Sequence, residues 1–492
     1  MSLPIPLERG RTQSLQEQIY RFIRDQILHG KYPAGTQLPS TRELADGLRV
    51  SRNTAVLAYQ WLVSEGYIET RPGAGTFTRS VVSDTIETIE RDEGLSARAD
   101  KPAVVLKCTS PLADYGSGIR SQFDFWYGRA DPRQFPTKTW SRLMWETLSY
   151  ARSSLSEYGP QPGNLALREA IAEYLATARG FSASPDHILI TAGAQEGLNI
   201  VTRLLVEAGT TIAVENPGYG AVATLFETAG ATLLPVPVDG DGLIPDNLAS
   251  HRPKLIYTTP SHQFPTGVVM SLERRQALLA MAEAINAYVI EDDYDGEIIY
   301  DRPPLAALAA LDRSQRVIYV GSFSKSIGAG IRLGFLVLPP ELIDWAVSLK
   351  SLASYGQAWT EQAVLAEFIR RGSFRTHLRR IRTLYRARRD ALTDTLRDWL
   401  GPEGGISGSE SGVHLMVRLP DHMPPAARIS AIARQVDVAL YTPEGAGTWE
   451  PGRRAADDRR LVFGYAALTP QEIETAIRRI RVRVDREAQE AG

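Results

Sequence analysis

One lysine in this chain has the neighbours that imine chemistry requires. Residues 321–326 read G-S-F-S-K-S after an apolar run over residues 316–320, so Lys325 lies where a predicted strand ends, and Arg332 follows shortly after. A lysine must lose its proton before it attacks an aldehyde, and hydroxyl groups with a nearby cation suit a phosphorylated aldehyde. A short motif of this kind also fits a solvated loop. The prediction of imine chemistry at Lys325 therefore depends on the surrounding elements.

Other polar groups also fall at the ends of apolar runs. Residues 191–195 (T-A-G-A-Q) begin a predicted helix, and the amides at a helix N-terminus bind phosphate. Residues 215–219 (E-N-P-G-Y) place an aromatic ring after a tight turn, and residues 291–295 (E-D-D-Y-D) end a strand with carboxylates. A metal site is one interpretation of the carboxylates, but a single segment supplies them, so no metal is predicted.

The elements that must position these groups alternate between strand and helix. A helix is predicted over residues 272–285, and a longer helical segment over 358–400 precedes a smaller α/β unit. The predicted strands are the apolar runs over residues 187–191, 211–215, 233–238, 254–259, 287–292, 317–321 and 333–338. This alternation predicts a mostly parallel sheet covered on both faces, with ligand sites at the strand ends.

The first eighty residues have a different pattern. An apolar stripe at helical spacing begins at Leu15, and a second short helix is predicted after Ser40, with Glu43 as its capping-box partner. A third helix begins with the donor-rich turn Ser51-Arg52-Asn53-Thr54, and residues 67–78 alternate like a hairpin. This order is that of a helix-turn-helix, in which Arg and Asn contact base edges while Ser and Thr contact phosphates. The alternative is a small helical domain with a solvated Arg-Asn pair.

Composition limits the class of protein. The 492-residue chain is long enough for two or three domains, and its single cysteine, Cys108, excludes an intrachain disulfide. The net charge is −2, but residues 1–79 hold 10 Lys/Arg and 7 Asp/Glu, which permits a DNA-binding N-terminus. No apolar run is long enough to span a bilayer, and the N-terminus does not read as a signal peptide. A cytoplasmic protein without a membrane partner is expected.

These motifs resemble two known families in sequence. Residues 38–45 (L-P-S-T-R-E-L-A), 50–54 (V-S-R-N-T) and 65–77 (E-G-Y-I-E-T-R-P-G-A-G-T-F) resemble the winged helix of GntR-type regulators. The second part resembles fold-type I pyridoxal phosphate enzymes of the aspartate aminotransferase class, and the motifs that carry this resemblance are A-G-A-Q (192–195), E-N-P-G-Y (215–219), P-S-H-Q-F-P-T-G (260–267), E-D-D-Y (291–294) and S-F-S-K with Arg332. Together the two halves resemble a MocR-type regulator.

The resemblance implies a domain plan. It places a winged helix-turn-helix domain at residues 11–79, a linker at 80–119 and an aminotransferase-like domain at 120–488. The last would be a three-layer α/β/α sheet with a smaller C-terminal α/β domain. Implied partners are double-stranded operator DNA, an amine or amino-acid effector, and a second copy of the chain in a homodimer.

The resemblance also assigns roles to residues. Lys325 would form the internal aldimine with pyridoxal 5'-phosphate, Asp292 would face the pyridine nitrogen, and Tyr294 would bond the phenolic oxygen. The further cofactor-binding residues would be Tyr219, Ala194, Gln195, Ser322, Ser324, Arg332, His262 and Tyr158, the last reaching the partner subunit's phosphate site. The DNA-binding residues would be Arg42, Ser51, Arg52, Asn53, Thr54 and Gly75. Tyr158 and Tyr219 also fit core aromatics, and Asp292 also fits a structural ion pair.

Two departures from the family pattern bear on the ligand. Phe264 stands where family enzymes have the asparagine of N-P-T-G, and His262 or Gln263 is the expected substitute. Val462 stands where aminotransferases carry the arginine that binds the substrate carboxylate. Arg460, two residues earlier on the same strand face, and Arg129 are the candidate replacements.

Three functions remain open from the sequence. The chain is either a cofactor-dependent transcription regulator that senses the cofactor or an amine, or an aminotransferase with a fused DNA-binding domain, or a sensor that has lost the cofactor. The intact DNA-binding motifs and the absent C-terminal arginine favour the first. The presence of Lys325, Asp292 and Tyr294 disfavours the third.

Overall fold

The computed structural model describes residues 3–8, 13–80, 121–151, 155–301, 305–453 and 458–491. The chain divides into two compact units, Met1–Val105 and Leu106–Gly492. The predicted linker at residues 80–119 lies outside the described residues, except for Ser80.

The first unit is a small α/β domain built on three helices and a three-stranded sheet. Its elements are α1 (Leu15–Leu28), β1 (Gln37–Leu38), α2 (Thr41–Leu48), α3 (Arg52–Ser64), β2 (Ile68–Arg71) and β3 (Gly75–Thr78). The sheet order is β1-β3-β2 with antiparallel pairs, so β2 and β3 form the predicted hairpin. Ile19, Ile23, Ala55 and Leu62 are fully buried, which places the apolar stripes of α1 and α3 in one core.

The second unit contains the large sheet and most of the helices. Its helices are α4 (Thr137–Tyr150), α5 (Leu165–Ala178), α6 (Ala194–Leu205), α7 (Gly220–Thr228), α8 (Leu248–His251), α9 (Leu272–Ile285), α10 (Leu308–Leu311), α11 (Pro340–Ser354), α12 (Trp359–Arg370), α13 (Ser373–Leu400), α14 (Ala426–Gln435) and α15 (Pro470–Ala491). Its strands are β4 (Phe123–Asp124), β5 (Ile188–Thr191), β6 (Thr211–Asn216), β7 (Gly218–Tyr219), β8 (Thr232–Asp239), β9 (Gly242–Leu243), β10 (Leu255–Thr258), β11 (Tyr288–Asp293), β12 (Val317–Ser322), β13 (Gly334–Val337), β14 (Gly405–Ser407), β15 (His414–Arg418), β16 (Val438–Ala439), β17 (Thr448–Trp449) and β18 (Arg460–Gly464).

The eight-stranded sheet has the order β5-β13-β12-β11-β10-β6-β8-β9. Its central strands β12, β11, β10, β6 and β8 run parallel, whereas β13 is antiparallel to both of its neighbours. Adjacent residues on β11 enter different cores, because Ile290 packs with residues of α6, α7 and α11 while Val289 packs with residues of α9. The sheet is therefore covered on both faces, and the predicted three-layer fold is confirmed.

A smaller domain closes the chain around the sheet β14-β15-β18. It packs with α13, α14 and α15 in a core that includes Leu392, Ile432 and Ile477. The helical segment predicted over residues 358–400 is two helices, α12 and α13. They are separated at Gly372, whose φ of 72° ends the first helix in the left-handed region. Within the described part of the chain, no helix is both long and apolar enough to cross a membrane.

Candidate functional site

A cavity of about 240 Å³ opens at the carboxyl ends of β11 and β12 in the second unit. Except for His262 and Tyr158, every predicted cofactor residue lines it: Lys325, Asp292, Tyr294, Tyr219, Ala194, Gln195, Ser322, Ser324 and Arg332. These residues come from separate segments of the chain. The topology of the sheet brings them together at the strand ends.

Lys325 projects from a π-helical turn, Ser324–Gly328, directly after β12. Its Nζ donates a hydrogen bond to the Gly128 carbonyl at 3.0 Å and lies 6.0 Å from the centre of the Tyr127 ring. Burial lowers the pKa of the Lys325 amine, while the Asp295 and Asp292 carboxylates oppose that shift. The amine is therefore easier to deprotonate than that of an ordinary lysine.

The three consecutive carboxylates at the end of β11 have different surroundings. Asp292 faces the cavity and accepts a hydrogen bond from Tyr257 Oη at 2.7 Å. Its neighbours are engaged elsewhere, since Asp293 pairs with Arg179 at 2.7 Å and Glu291 accepts backbone amides of residues 308 and 309 at 2.8 and 2.9 Å. Strand alternation explains this separation.

The second oxygen of Asp292, Oδ1, is buried and has no hydrogen-bond partner among the described residues. Burial raises the pKa of Asp292 to about 7, the hydrogen bond from Tyr257 lowers it, and the nearby Asp293, Asp295 and Glu215 carboxylates raise it further. Asp292 Oδ1 can therefore accept a hydrogen bond from a ligand in the cavity.

A second group of cavity residues surrounds the start of α6. Ala194 and Gln195 form its first turn after Gly193, which has a φ of 90°. A Cβ on Gly193 would lie 3.3 Å from Arg332 Nη2, so both the backbone angle and the close arginine favour glycine. Ser322 Oγ and Ser324 Oγ lie 3.0 Å apart beside them. Hydroxyls, helix amides and a guanidinium form an anion cradle.

Tyr294 Oη donates to the backbone carbonyl of His262 at 2.8 Å. The His262 ring is buried and hydrogen bonds Asp295 at 2.9 Å, so it does not line the cavity. The side-chain amide of Gln263 donates a hydrogen bond to Glu215 at 3.1 Å, so Gln263 does not line the cavity either. Phe264 lines the cavity wall in place of these two residues.

The two arginines predicted to bind an effector are both paired within the chain. Arg129 binds Asp124 at 2.7 Å. Arg460 binds Glu450 at 2.5 Å and Asp458 at 2.7 Å. Neither lines the cavity. Tyr158 also lies away from it, with an exposure of 83% and its ring 5.6 Å from that of Tyr355.

Within the described ranges, one group of metal-binding residue types occurs behind the cavity wall. His262, Asp295 and His414 are buried, and one ligand atom of each lies within 4.8 Å of the others. The motif at residues 291–295 does not predict this combination, because His414 comes from β15, far along the chain.

In the first unit, helix caps position the predicted DNA-contacting residues. Ser40 caps α2, where its Oγ accepts the Glu43 amide at 3.2 Å and the Glu43 carboxylate accepts the Ser40 amide at 2.8 Å. Ser51 caps α3 by accepting the Thr54 amide at 3.1 Å. Arg52 and Asn53 in the first turn of α3 are exposed.

The remaining predicted residues of this unit lie on α2 and on the hairpin. Arg42 is exposed in the first turn of α2. Gly75 begins β3 with a φ of 116° and lines a groove of about 810 Å³ that also contains Ser40 and Thr41. The arrangement presents donors from α2, α3 and the β2–β3 hairpin, as a winged helix does.

Comparison with known proteins decides the family. Residues 15–78 match the family of bacterial regulatory proteins of the gntR type, and residues 131–480 match aminotransferase class I and II. The chain is 33% identical over 480 residues to the probable rhizopine catabolism regulatory protein MocR of Rhizobium meliloti, covering 96% of this chain and 94% of that protein. The chain belongs to the MocR-type family of transcription regulators.

Solved structures similar to this MocR-type regulator are aminotransferases. LysN, the α-aminoadipate aminotransferase of Thermus thermophilus, complexed with N-(5'-phosphopyridoxyl)-L-leucine, is 27% identical with a TM-score of 0.66 and covers 74% of this chain and 92% of its own. The kynurenine aminotransferase of Pyrococcus horikoshii, in complex with PMP, is 26% identical with a TM-score of 0.67 and covers 82% of this chain and 98% of its own. The fold and these complexes imply pyridoxal phosphate binding, and the gntR-type domain implies DNA binding.

The cavity of the MocR-type regulator fits this cofactor. The unpartnered Asp292 Oδ1 matches a protonated ring nitrogen, and the cradle formed by Ser322, Ser324, Arg332 and the first turn of α6 matches a phosphate. Lys325 lines the same cavity, and burial lowers the pKa of its amine, as an amine that reacts with an aldehyde requires.

Six residues that line the cavity of this MocR-type regulator are not among the predicted cofactor-binding residues: Tyr127, Leu198, Tyr257, Thr259, Phe264 and Ala329. Tyr127 and Phe264 form an aromatic wall with ring centres 4.7 Å apart, and Tyr257 fixes Asp292. For Tyr257 a signal existed, because it lies on the predicted strand over residues 254–259, and the carboxyl ends of parallel strands meet at one edge of the sheet. Tyr127 gave no such signal, since it lies far before Lys325 in the chain.

Proposed function

We propose that this regulator binds pyridoxal phosphate covalently at Lys325 and senses the cofactor itself, or an amine that reacts with it, to change its affinity for operator DNA. The observation that carries the proposal is the single cavity that holds Lys325, the unpartnered Asp292 Oδ1 and the anion cradle. When bound, the cofactor supplies an electrophilic carbon and an electron-withdrawing ring.

Four residues of the cavity would each have a separate role in binding the cofactor. Lys325 would supply the amine, whose lowered pKa favours the neutral, nucleophilic form. Asp292 would hold a proton on the ring nitrogen, and Tyr294 would turn its hydroxyl from the His262 carbonyl to the phenolic oxygen. Tyr219 would pack on the ring face.

The DNA-binding surface would consist of Arg42, Ser51, Arg52, Asn53, Thr54 and Gly75. Arg52 and Asn53, exposed at the start of α3, would contact base edges in the major groove. Ser51 and Thr54 combine a capping role with hydroxyls suited to phosphate. We place the DNA-binding domain at residues 11–79 and the aminotransferase-like domain at 120–488.

A homodimer formed by the second unit is part of the proposal. Several large apolar side chains of that unit are exposed: Trp145 at 71%, Tyr150 at 82%, Tyr158 at 83%, Trp345 at 68%, Leu352 at 79% and Tyr355 at 66%. Exposed apolar side chains in this number support an interface formed by this unit. Tyr158 would then serve the partner's phosphate site. Sedimentation velocity would contradict this if cofactor-loaded protein were monomeric at micromolar concentration.

The alternative is a working aminotransferase, and one experiment separates the two. The full-length protein, loaded with cofactor, is tested for binding to DNA fragments selected from a random pool, with and without amines, and for keto-acid production. A regulator should change its DNA affinity while turnover stays well below about 1 per second. Turnover at that rate or faster with unchanged DNA affinity would contradict the proposal.

A further inference from the structure

The wall of the cavity nearest Lys325 is aromatic rather than charged. Tyr127 lies under Lys325, and its ring packs against Phe264 with centres 4.7 Å apart. Phe264 also meets the Tyr219 ring edge-on at 5.7 Å. A ligand joined to the cofactor next to Lys325 would therefore contact ring surfaces first.

The layer behind that wall is partly apolar, and the rest of it is the buried group His262, Asp295 and His414, which contains a carboxylate. Val462 and Ala446 are fully buried and belong to the same cluster as Tyr127 and Phe264. Trp126 continues the cluster and packs against Tyr441 with centres 4.8 Å apart. A carboxylate placed here would lose its hydration without gaining a cation, which is costly.

Arg129, the cation nearest in sequence to this wall, is paired with Asp124 at 2.7 Å and does not line the cavity. Its partner Asp124 also accepts hydrogen bonds from Tyr441 Oη at 2.8 Å and from the Trp126 amide at 3.0 Å. Moving Arg129 to a ligand would leave a half-buried carboxylate without its counter-ion.

Arg460 is less available than Arg129 to bind a ligand. Its side chain is 12% exposed and lies between two carboxylates, with the Asp458 contact made by both Nε, at 2.9 Å, and Nη2, at 2.7 Å. Glu450 binds the same Nη2 at 2.5 Å. Arg453 also pairs with Glu450 at 3.6 Å and with Asp458 at 3.3 Å, so two arginines balance two carboxylates. Moving Arg460 to a ligand would leave those carboxylates with a single cation.

Among the described residues that line the cavity, the cations are Lys325 and Arg332. Lys325 is the reacting amine, and Arg332 lies at the cradle end, where it donates to the Ala192 carbonyl. We infer that the effector is a primary amine without a carboxylate, carrying an apolar aliphatic or aromatic group. This inference rests on the proposed function, because it assumes that an amine reacts at the Lys325 site.

Matched ligand pairs test the inference on the cofactor-loaded full-length protein. The pairs are 2-phenylethylamine with phenylalanine, isoamylamine with leucine, and n-butylamine with 4-aminobutanoate. Spectral titration of the bound cofactor gives each affinity. We expect each amine to bind at least about ten-fold more tightly than its carboxylate partner, because an unpaired buried carboxylate costs more than that factor.

A carboxylate partner that binds as tightly as its amine would overturn the inference. So would an Arg129→Gln variant that loses amino-acid binding while keeping amine binding, since Arg129 would then leave Asp124 for the ligand. If no amine changes the spectrum, the inference fails, yet the proposed covalent cofactor and its effect on DNA binding can still hold. If the protein binds no cofactor, the proposed function itself fails.

Discussion

Tyr257 donates a hydrogen bond to Oδ2 of Asp292, 2.7 Å away, across the neighbouring parallel strands β10 and β11. This contact fixes the carboxylate, which lines the cavity, and leaves its Oδ1 without a partner among the described residues. The pair is the clearest sign that the chain is prepared for a ligand with a ring N–H donor. An unpaired acceptor in a buried position is otherwise unfavourable.

The first prediction concerns this carboxylate. Asp292→Asn should weaken cofactor binding by about 1.5–3 kcal/mol, the usual contribution of a hydrogen bond to a charged group. The control is Tyr257→Phe, which removes the support but keeps the carboxylate and should cost less, about 0.5–1.5 kcal/mol. Absorbance titration of the apo-protein with pyridoxal phosphate measures both, and wild-type affinity in Asp292→Asn would be inconsistent with the assigned role.

The second prediction is the pH dependence of the apo-protein. Burial raises the pKa of Asp292 to about 7 in the folded state, above the value of about 4 expected in the unfolded chain. The folded state therefore holds the proton more tightly, and Asp292 contributes stability below about pH 4 that is lost as the pH rises through about 7.

Thermal unfolding of apo wild type and Asp292→Asn between about pH 5 and pH 8 measures this contribution. The wild-type Tm should fall more steeply with rising pH than that of the variant, which cannot titrate at this position. Comparison of the two proteins cancels the other buried carboxylates, such as Glu297, whose pKa burial also raises, to about 8. Parallel curves would show that Asp292 titrates normally.

The third prediction is the point of covalent attachment. Borohydride treatment of the cofactor-loaded protein should fix the cofactor on Lys325, and Lys325→Ala should abolish the adduct. Lys350 is the matched control, because it is also buried and its pKa is also lowered by burial, but it donates to the Ile190 carbonyl outside the cavity. Peptide mass spectrometry that places the adduct on Lys350 would refute the assignment.

Much of the fold follows from the sequence because the strands of a covered parallel sheet are continuous apolar runs. Strand β11 begins and ends within one residue of the predicted run over residues 287–292. The separation of α12 from α13 was not predictable, because Gly372 is compatible with a helix until its φ of 72° is known.

A site residue was predictable where a motif contains a single candidate, and where strand alternation decides which of several adjacent residues faces the site. Asp292 rather than Asp293 faces the cavity for the second reason. The partners of a long side chain were not predictable. Arg460 was expected near a ligand from its strand face, yet Glu450 and Asp458 bind it, and the His262 ring turns to Asp295. Such choices depend on contacts between distant segments, and local sequence does not encode them.

The fourth prediction concerns DNA recognition. Arg52→Ala should weaken binding to a selected DNA fragment by about 1–3 kcal/mol and relax its sequence preference, as expected for a base contact. The control is Arg21→Ala on α1, where Arg21 pairs with Glu17 at 2.7 Å. Gel-shift titration at several salt concentrations separates base from phosphate contacts, because only the latter change the salt slope. Equal effects of the two substitutions would indicate a purely electrostatic surface.

The most direct test of the central claim is reciprocal titration of the cofactor-loaded full-length protein. Amine affinity is measured from the cofactor spectrum with and without operator DNA, and operator affinity is measured with and without the same amine. If one molecule links the two sites, each ligand must change the affinity of the other by the same factor, about 5–150-fold for typical coupling. We predict equal factors that differ from one. Amine binding that leaves operator affinity unchanged, and is itself unchanged by DNA, would contradict the account.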